Sequence, residues 1–247
     1  MDFADKHVVI TGGSTGIGRA TAARIIAAGG QVTLIARNRD KLQAACKDLG
    51  ERASCIAADA GDKTSIISAL YEAASRAPID GLFLNAATTG AFAPLADYPD
   101  DAFADVLRVN VEGSFWALRH VLPAMTARKS GSVLLTGSLA SERGMAGNIG
   151  YLASKHAVLG LARGAAMEVA ASGVRVNCLL PGYIDTPMLA DIPDEARSAM
   201  ASRTPQQRIG RPEEAAEVAA FLLSDAASHV TAQALAVDGG LLGTLAL

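Results

Sequence analysis

Short β-branched apolar runs alternate with longer alanine-rich stretches along the chain. His7–Thr11 (HVVIT) precedes Gly16–Ala28, and Gln31–Ala36 (QVTLIA) precedes Arg39–Leu49. Short runs that are apolar almost throughout mark strands covered on both faces, as in a parallel sheet. The pattern predicts further strands at Ser54–Ala57, Gly81–Asn85, Ser132–Thr136, Val174–Leu180 and Ala234–Val237. Helices are predicted at Lys63–Arg76, Asp101–Arg128, Tyr151–Ala171 and Pro212–Ser224. Strict β–α alternation predicts an α/β fold, a Rossmann-type doubly wound parallel sheet in three layers with right-handed crossovers. No low-complexity linker or composition break divides the chain, so residues 1–247 are expected to form a single domain. The one long irregular piece is Gly182–Gly210. A loop of that length inside a compact domain is expected to be functional, here a substrate lid over residues 182–210.

Composition narrows the function classes. Hydrophobic residues are 50% and charged residues 19%, which excludes a disordered chain. A net charge of -3 leaves no electrostatic footprint for nucleic acid. No signal peptide pattern opens the chain, and no run of roughly 18 uncharged apolar residues follows, so no membrane partner is expected. Cys46, Cys55 and Cys178 show no C-x-x-C spacing, which fits a reducing compartment, and the expected location is cytoplasmic. His7, His120, His156 and His229 are dispersed without ligand spacing, so no metal is expected.

Three motifs carry chemistry. Thr11-Gly12-Gly13-Ser14-Thr15-Gly16-Ile17-Gly18 sits between the first strand and the first helix. Glycines there let the backbone turn tightly and approach a pyrophosphate at the helix N-terminus. Gly12, Ser14, Thr15, Gly16, Ile17 and Gly18 are therefore expected to bind a dinucleotide. Just past the second strand stand Ala36-Arg37-Asn38-Arg39, where NAD-binding folds carry an acid for the ribose 2′-hydroxyl. Arg37 can hold a 2′-phosphate through charge-assisted bonds, so NADP(H) is expected over NAD(H), with Asn38 beside it. In Tyr151-Leu152-Ala153-Ser154-Lys155 the i and i+4 positions share a helix face. The tyrosine hydroxyl and lysine ammonium can then enter one site. A general acid/base tyrosine near pH 7 needs its pKa lowered, and a nearby ammonium and a positively charged nicotinamide have the required sign. Ser138 lies at the C-terminal end of the fifth strand, where ligands bind in such sheets.

Together these residues resemble the short-chain dehydrogenase/reductase family, in its shorter single-domain branch, over essentially the whole chain. Further segments carry the resemblance: Ala58-Asp59-Ala60, Asn85-Ala86-Ala87, Val109-Asn110-Val111, Pro181-Gly182-Tyr183-Ile184-Asp185-Thr186 and Val237-Asp238-Gly239-Gly240. Ala87 stands in place of the family's usual glycine, and Leu84 where many members have asparagine. The resemblance implies an oxidoreductase moving a hydride between NADP(H) and a carbonyl or secondary alcohol. It implies a catalytic set of Asn110, Ser138, Tyr151 and Lys155, with Tyr151 as general acid/base. It implies cofactor contacts at Asp59 and Ala60, Asn85 and Ala86, Pro181 and Gly182, Ile184 and Thr186, besides Tyr151 and Lys155. Reduction of 3-oxoacyl groups on an acyl carrier protein is the main alternative. A dinucleotide-binding sensor without turnover is the alternative from another class, and it has no need of a general acid. The resemblance also points to a homotetramer, with the apolar tail Leu241–Leu247 expected at an interface.

Overall fold

The computed structural model describes residues 1–244. Seven strands form one parallel sheet in the order β3-β2-β1-β4-β5-β6-β7. They are β1 (His7–Thr11), β2 (Gln31–Ala36), β3 (Ala53–Ala57), β4 (Gly81–Leu84), β5 (Gly131–Thr136), β6 (Val174–Pro181) and β7 (Ala234–Val237). Strand order reverses on either side of β1, between β1 and β4, and such a switch point opens a crevice beyond the carboxyl ends of the strands.

Helices cover both faces because successive strand residues point to opposite sides. Val8, Ile10, Val32, Leu34 and Phe83 pack with Ala22 and Ile25 of α1 (Gly16–Ala27), Leu42 of α2 (Arg39–Leu49) and Ala219 of α8 (Pro212–Leu223). The alternate residues Val9, Ile35, Leu82, Leu84, Val133 and Val176 face the other way. They meet Ile66 and Leu70 of α3 (Lys63–Arg76), Val121 of α5 (Gly113–Arg128) and Val158 of α6 (Ile149–Val169). Leu84 is thus a core residue of this layer, where an asparagine would have to bury its amide.

Two expected elements differ. The long helix expected over Asp101–Arg128 is α4 (Asp100–Leu107), a π-helical turn (Arg108–Glu112) and then α5. The turn centres on Asn110, whose side chain reaches across to another loop. Local π-type insertions of this kind concentrate at functional positions. The irregular 182–210 segment contains a short 3₁₀ turn (Pro187–Leu189) and α7 (Asp194–Arg203). No residue of α7 is buried, so the helix has no apolar stripe to announce it in the sequence. Its start is held by Arg197, which donates to Asp185 at 2.7 Å and to the Leu189 carbonyl at 3.1 Å.

Among the described residues, no helix is long and apolar enough to cross a membrane. Leu241–Gly243 form a 3₁₀ turn, and Leu242 packs on the core edge. Leu245, Ala246 and Leu247 of the expected interfacial tail lie outside the described residues.

Candidate active site

The glycine-rich turn is built for close backbone approach. Gly12 adopts φ +65, and a Cβ there would lie 2.9 Å from the Ala86 Cα. A Cβ on Gly18 would lie 2.4 Å from the Gly12 carbonyl oxygen and 2.8 Å from Asn85 Nδ2. A side chain at Gly16 would meet the Thr186 methyl at 3.0 Å. Six of the expected cofactor residues from three distant segments therefore converge on one cradle. The same cradle is cross-linked: Asn85 Nδ2 donates to the Gly12 carbonyl at 3.2 Å, and the N–H groups of Asn85 and Ala86 both donate to Thr11 Oγ1. Thr15 caps α1 without a side-chain bond, and no acid stands in its first turn. The free N–H groups of α1 and the glycine cradle together fit a pyrophosphate.

The remaining cofactor candidates line the carboxyl edge of the sheet. Arg37 is exposed past the end of β2. The Asn38 side chain is engaged in capping α2, accepting from Lys41 N–H at 2.9 Å. Asp59, past β3, accepts from Gly61 N–H at 2.8 Å, with Ala60 between them. Pro181 ends β6, and Gly182 donates to the Val237 carbonyl at 3.0 Å. Ile184 is buried and bridges to Gly210, while Thr186 reaches back to Gly16.

The four expected catalytic residues meet beside this cradle. Lys155 is 2% exposed and donates from Nζ to the Thr136 carbonyl at 2.8 Å, with Nζ 5.4 Å from the centre of the Tyr151 ring. Burial pushes the Lys155 ammonium down to about 8. Asn110, 2% exposed, accepts from Thr88 N–H at 2.8 Å and donates to the Thr88 carbonyl and to Ser154 Oγ, each at 3.0 Å. Ser154 in turn donates to the Tyr151 carbonyl at 2.7 Å. Ser138 Oγ accepts from Ala140 N–H at 3.2 Å, so its own proton is free to point elsewhere.

The chain's own groups do not by themselves lower the Tyr151 pKa. Burial raises the Tyr151 pKa above its ordinary value, and hydrogen bonding to Ser138 offsets this only in part. The chain's own groups therefore keep Tyr151 protonated, because desolvating a phenolate costs more than its neighbours return.

Several groups at the site were not anticipated from the sequence. Asn148 caps α6 by accepting from the Tyr151 N–H at 3.1 Å and donates to the Thr89 carbonyl at 2.9 Å. An Asn three residues before the helical tyrosine is a cap signal that could have located it. Ser141 and the Thr136 carbonyl also contact the site, but a lone serine or a main-chain oxygen leaves no sequence pattern. His156 is exposed and bonds the Leu152 carbonyl, away from Lys155's contacts. Among the described residues no His/Cys/Asp/Glu group could hold a metal ion.

A doubly wound sheet with an uncapped glycine-rich helix start, and a tyrosine beside a buried lysine, defines a class: a dinucleotide-linked oxidoreductase. The family model described as Enoyl-(Acyl carrier protein) reductase matches residues 12–242. Cis-4-hydroxycyclohexanecarboxylate dehydrogenase of Sinomonas cyclohexanicum is 39% identical over 96% of this chain and 97% of its own. The 2,5-dichloro-2,5-cyclohexadiene-1,4-diol dehydrogenase of Sphingobium indicum is 36% identical over 97% and 98%. The crystal structure of levodione reductase superposes with a TM-score of 0.95 at 34% identity, covering 98% of this chain and 100% of that one. Among other similar structures, a 3-ketoacyl-(acyl-carrier-protein) reductase from Brucella melitensis holds NADH (27% identity, TM-score 0.92, 97% and 99% covered). A protein from Beutenbergia cavernae holds NADP at low occupancy (36% identity, TM-score 0.93, 98% and 99% covered). The chain belongs to the short-chain dehydrogenase/reductase family. It is an oxidoreductase of CH–OH and C=O groups that uses a nicotinamide dinucleotide.

Proposed function

We propose that the chain interconverts an alicyclic ketone and its secondary alcohol with NADP(H), using Tyr151 as the proton-transfer group. The observation that carries this reading is the buried Lys155 beside Tyr151, with Ser138 at the end of β5. A non-catalytic dinucleotide sensor would gain nothing from burying a lysine ammonium at this cost.

When bound, the dinucleotide supplies the hydride or accepts it. Gly12, Ser14, Thr15, Gly16, Ile17 and Gly18 would hold its pyrophosphate, and Asp59 and Ala60 its adenine. Asn85 and Ala86 lie where a ribose would rest. Pro181, Gly182, Ile184 and Thr186 would face the carboxamide. Exposed Arg37 would take the 2′-phosphate, which supports NADP(H) over NAD(H). Tyr151 gives its proton to the carbonyl oxygen in reduction and removes it from the alcohol in oxidation. Its raised pKa keeps it loaded for the first of these. Ser138, whose oxygen already accepts the Ala140 N–H, donates its hydroxyl proton to the same oxygen. Lys155 keeps a positive charge under the tyrosine, and Asn110 fixes the loop beyond β4 against α6.

The substrate class rests on the loops around Tyr151. Phe92 and Leu95 after β4, Met145 after β5 and Met188 after β6 are all exposed large apolar groups. Such side chains suit a ring without charge, and two relatives are named for six-membered ring alcohols. Residues 182–210 serve as the substrate lid in this reading. Cytoplasmic location and a homotetramer complete it. Gly160 and Gly164 leave open space on α6, and Phe115 and Met167 are exposed nearby in the same helical layer. Light scattering checks the assembly: a mass of a single 25.3 kDa chain refutes it.

The test of the reaction is a panel of cyclohexanones, acyl thioesters, sugars and steroids followed by NADPH absorbance. Fastest turnover of the cyclohexanones is expected. Fastest turnover of a 3-oxoacyl thioester refutes the alicyclic class and points to the acyl-carrier substrate.

A further inference from the structure

Ser141 is 3% exposed and lies outside the four residues assigned above. Its single hydroxyl joins two of them. Ser141 Oγ accepts from the Ser138 N–H at 3.1 Å and donates to the Lys155 carbonyl at 2.8 Å. Ser138 follows β5 and Lys155 sits on α6, so the hydroxyl bridges two separate elements. Lys155 is tied to the same segment a second time, because its Nζ donates to the Thr136 carbonyl at 2.8 Å. The lysine is thus held at its backbone by Ser141 and at its ammonium by Thr136, on either side of Ser138.

The space around the bridge is filled. A Cβ on Gly137 would lie 2.8 Å from both Ser141 Oγ and the Cys178 sulfur, and 2.5 Å from Leu180 Cδ2. Nothing in that packing lets a water replace the hydroxyl without displacing a side chain, since a water needs room and polar partners. Removing the hydroxyl would leave the Ser138 N–H and the Lys155 carbonyl without this partner inside a buried pocket.

We propose that Ser141 is a positioning residue: its hydroxyl sets the distance between the carbonyl-polarising Ser138 and the Lys155 that lies under Tyr151. The inference rests on the roles given above to Ser138, Tyr151 and Lys155. It predicts a larger loss in the chemical step than in cofactor binding, because Ser141 holds Lys155 but touches none of the glycine cradle.

The test compares Ser141→Ala and Ser141→Cys with wild type and with Tyr151→Phe, using cyclohexanone and NADPH. Misplacing a reacting group by a fraction of an ångström costs rate steeply, so kcat of Ser141→Ala is expected to fall by about tenfold. KM for NADPH is expected to stay within about twofold, since the glycine cradle that makes most of the cofactor contacts is untouched. Cysteine keeps the side-chain shape with a weaker donor, so kcat should rank Ser above Cys above Ala. In the oxidation direction the midpoint of the rate against pH should move up, as an ammonium held farther from the ring stabilises the phenolate less. Should Ser141→Ala fail to fold, Ser141→Cys carries the same readings. A lower melting temperature with kcat and the pH midpoint unchanged overturns the proposal, since a purely structural serine behaves that way. Retained turnover in Tyr151→Phe instead overturns the roles assigned above.

Discussion

Replacing Asn110 by alanine tests whether the π turn exists to hold the site together. The amide makes three bonds: from Thr88 N–H at 2.8 Å, to the Thr88 carbonyl at 3.0 Å and to Ser154 Oγ at 3.0 Å. Each such bond contributes roughly 1 kcal/mol net. The Ser154 hydroxyl keeps its bond to the Tyr151 carbonyl, so its share of the loss is smallest. Thr88 is only half-buried, and its freed groups regain some water. The expected loss is therefore about 2–3 kcal/mol. For a domain of this size that corresponds to a fall in Tm of about 4–12 °C. Asn110→Asp keeps the acceptor for Thr88 N–H but sets a carboxylate against the Thr88 carbonyl in a site that is 2% exposed. A buried carboxylate has a raised pKa, so its stabilising form is the protonated one. The Asp variant should thus be closer to wild type at about pH 5 than at about pH 8. Both variants should also lose kcat, because the Thr88 loop leads directly from the Asn85–Ala86 part of the cradle. Thermal unfolding, calorimetry of NADPH binding and initial rates would measure all three effects. A Tm within about 2 °C of wild type for Asn110→Ala would refute the reasoning.

Three further outcomes follow from the geometry. Tyr151→Phe should abolish turnover while NADPH affinity changes little, because the hydroxyl acts on substrate; activity within about tenfold of wild type would contradict its role. Arg37→Asp exchanges attraction for repulsion at a 2′-phosphate, and the ratio of kcat/KM for NADPH over NADH should fall by at least about tenfold. An unchanged ratio would mean that another group reads the phosphate. Lys155 titrates at about 8 when folded and near its ordinary value when unfolded, so the unfolded chain binds more protons between those values. Its contribution to stability rises with pH through that window, by about 3 kcal/mol, and Lys155→Met should remove this rise in urea unfolding compared at about pH 8 and about pH 10.

The sequence alone determined the layers of this protein and the location of its chemistry. Apolar runs such as Val8–Ile10 alternate with helical stretches, and burial on both faces leaves few arrangements other than a doubly wound sheet. The glycine-rich turn and the Tyr151/Lys155 spacing were legible because each depends on neighbours in sequence. Tertiary structure decided the rest, because those features are contacts between distant segments. The Asn110 amide meets Thr88 22 residues away and Ser154 44 residues away, and that reach accompanies the π turn that local helix propensity does not encode. α7 left no apolar stripe in the sequence because none of its residues is buried and its half-buried face, Ala196, Arg197, Met200 and Ala201, includes an arginine. The direction of the Tyr151 pKa depended on how deeply the fold buries the ring, which no i, i+4 spacing reports. The Ser141 bridge exists only because the turn after β5 is packed against α6, bringing one hydroxyl between Ser138 and Lys155.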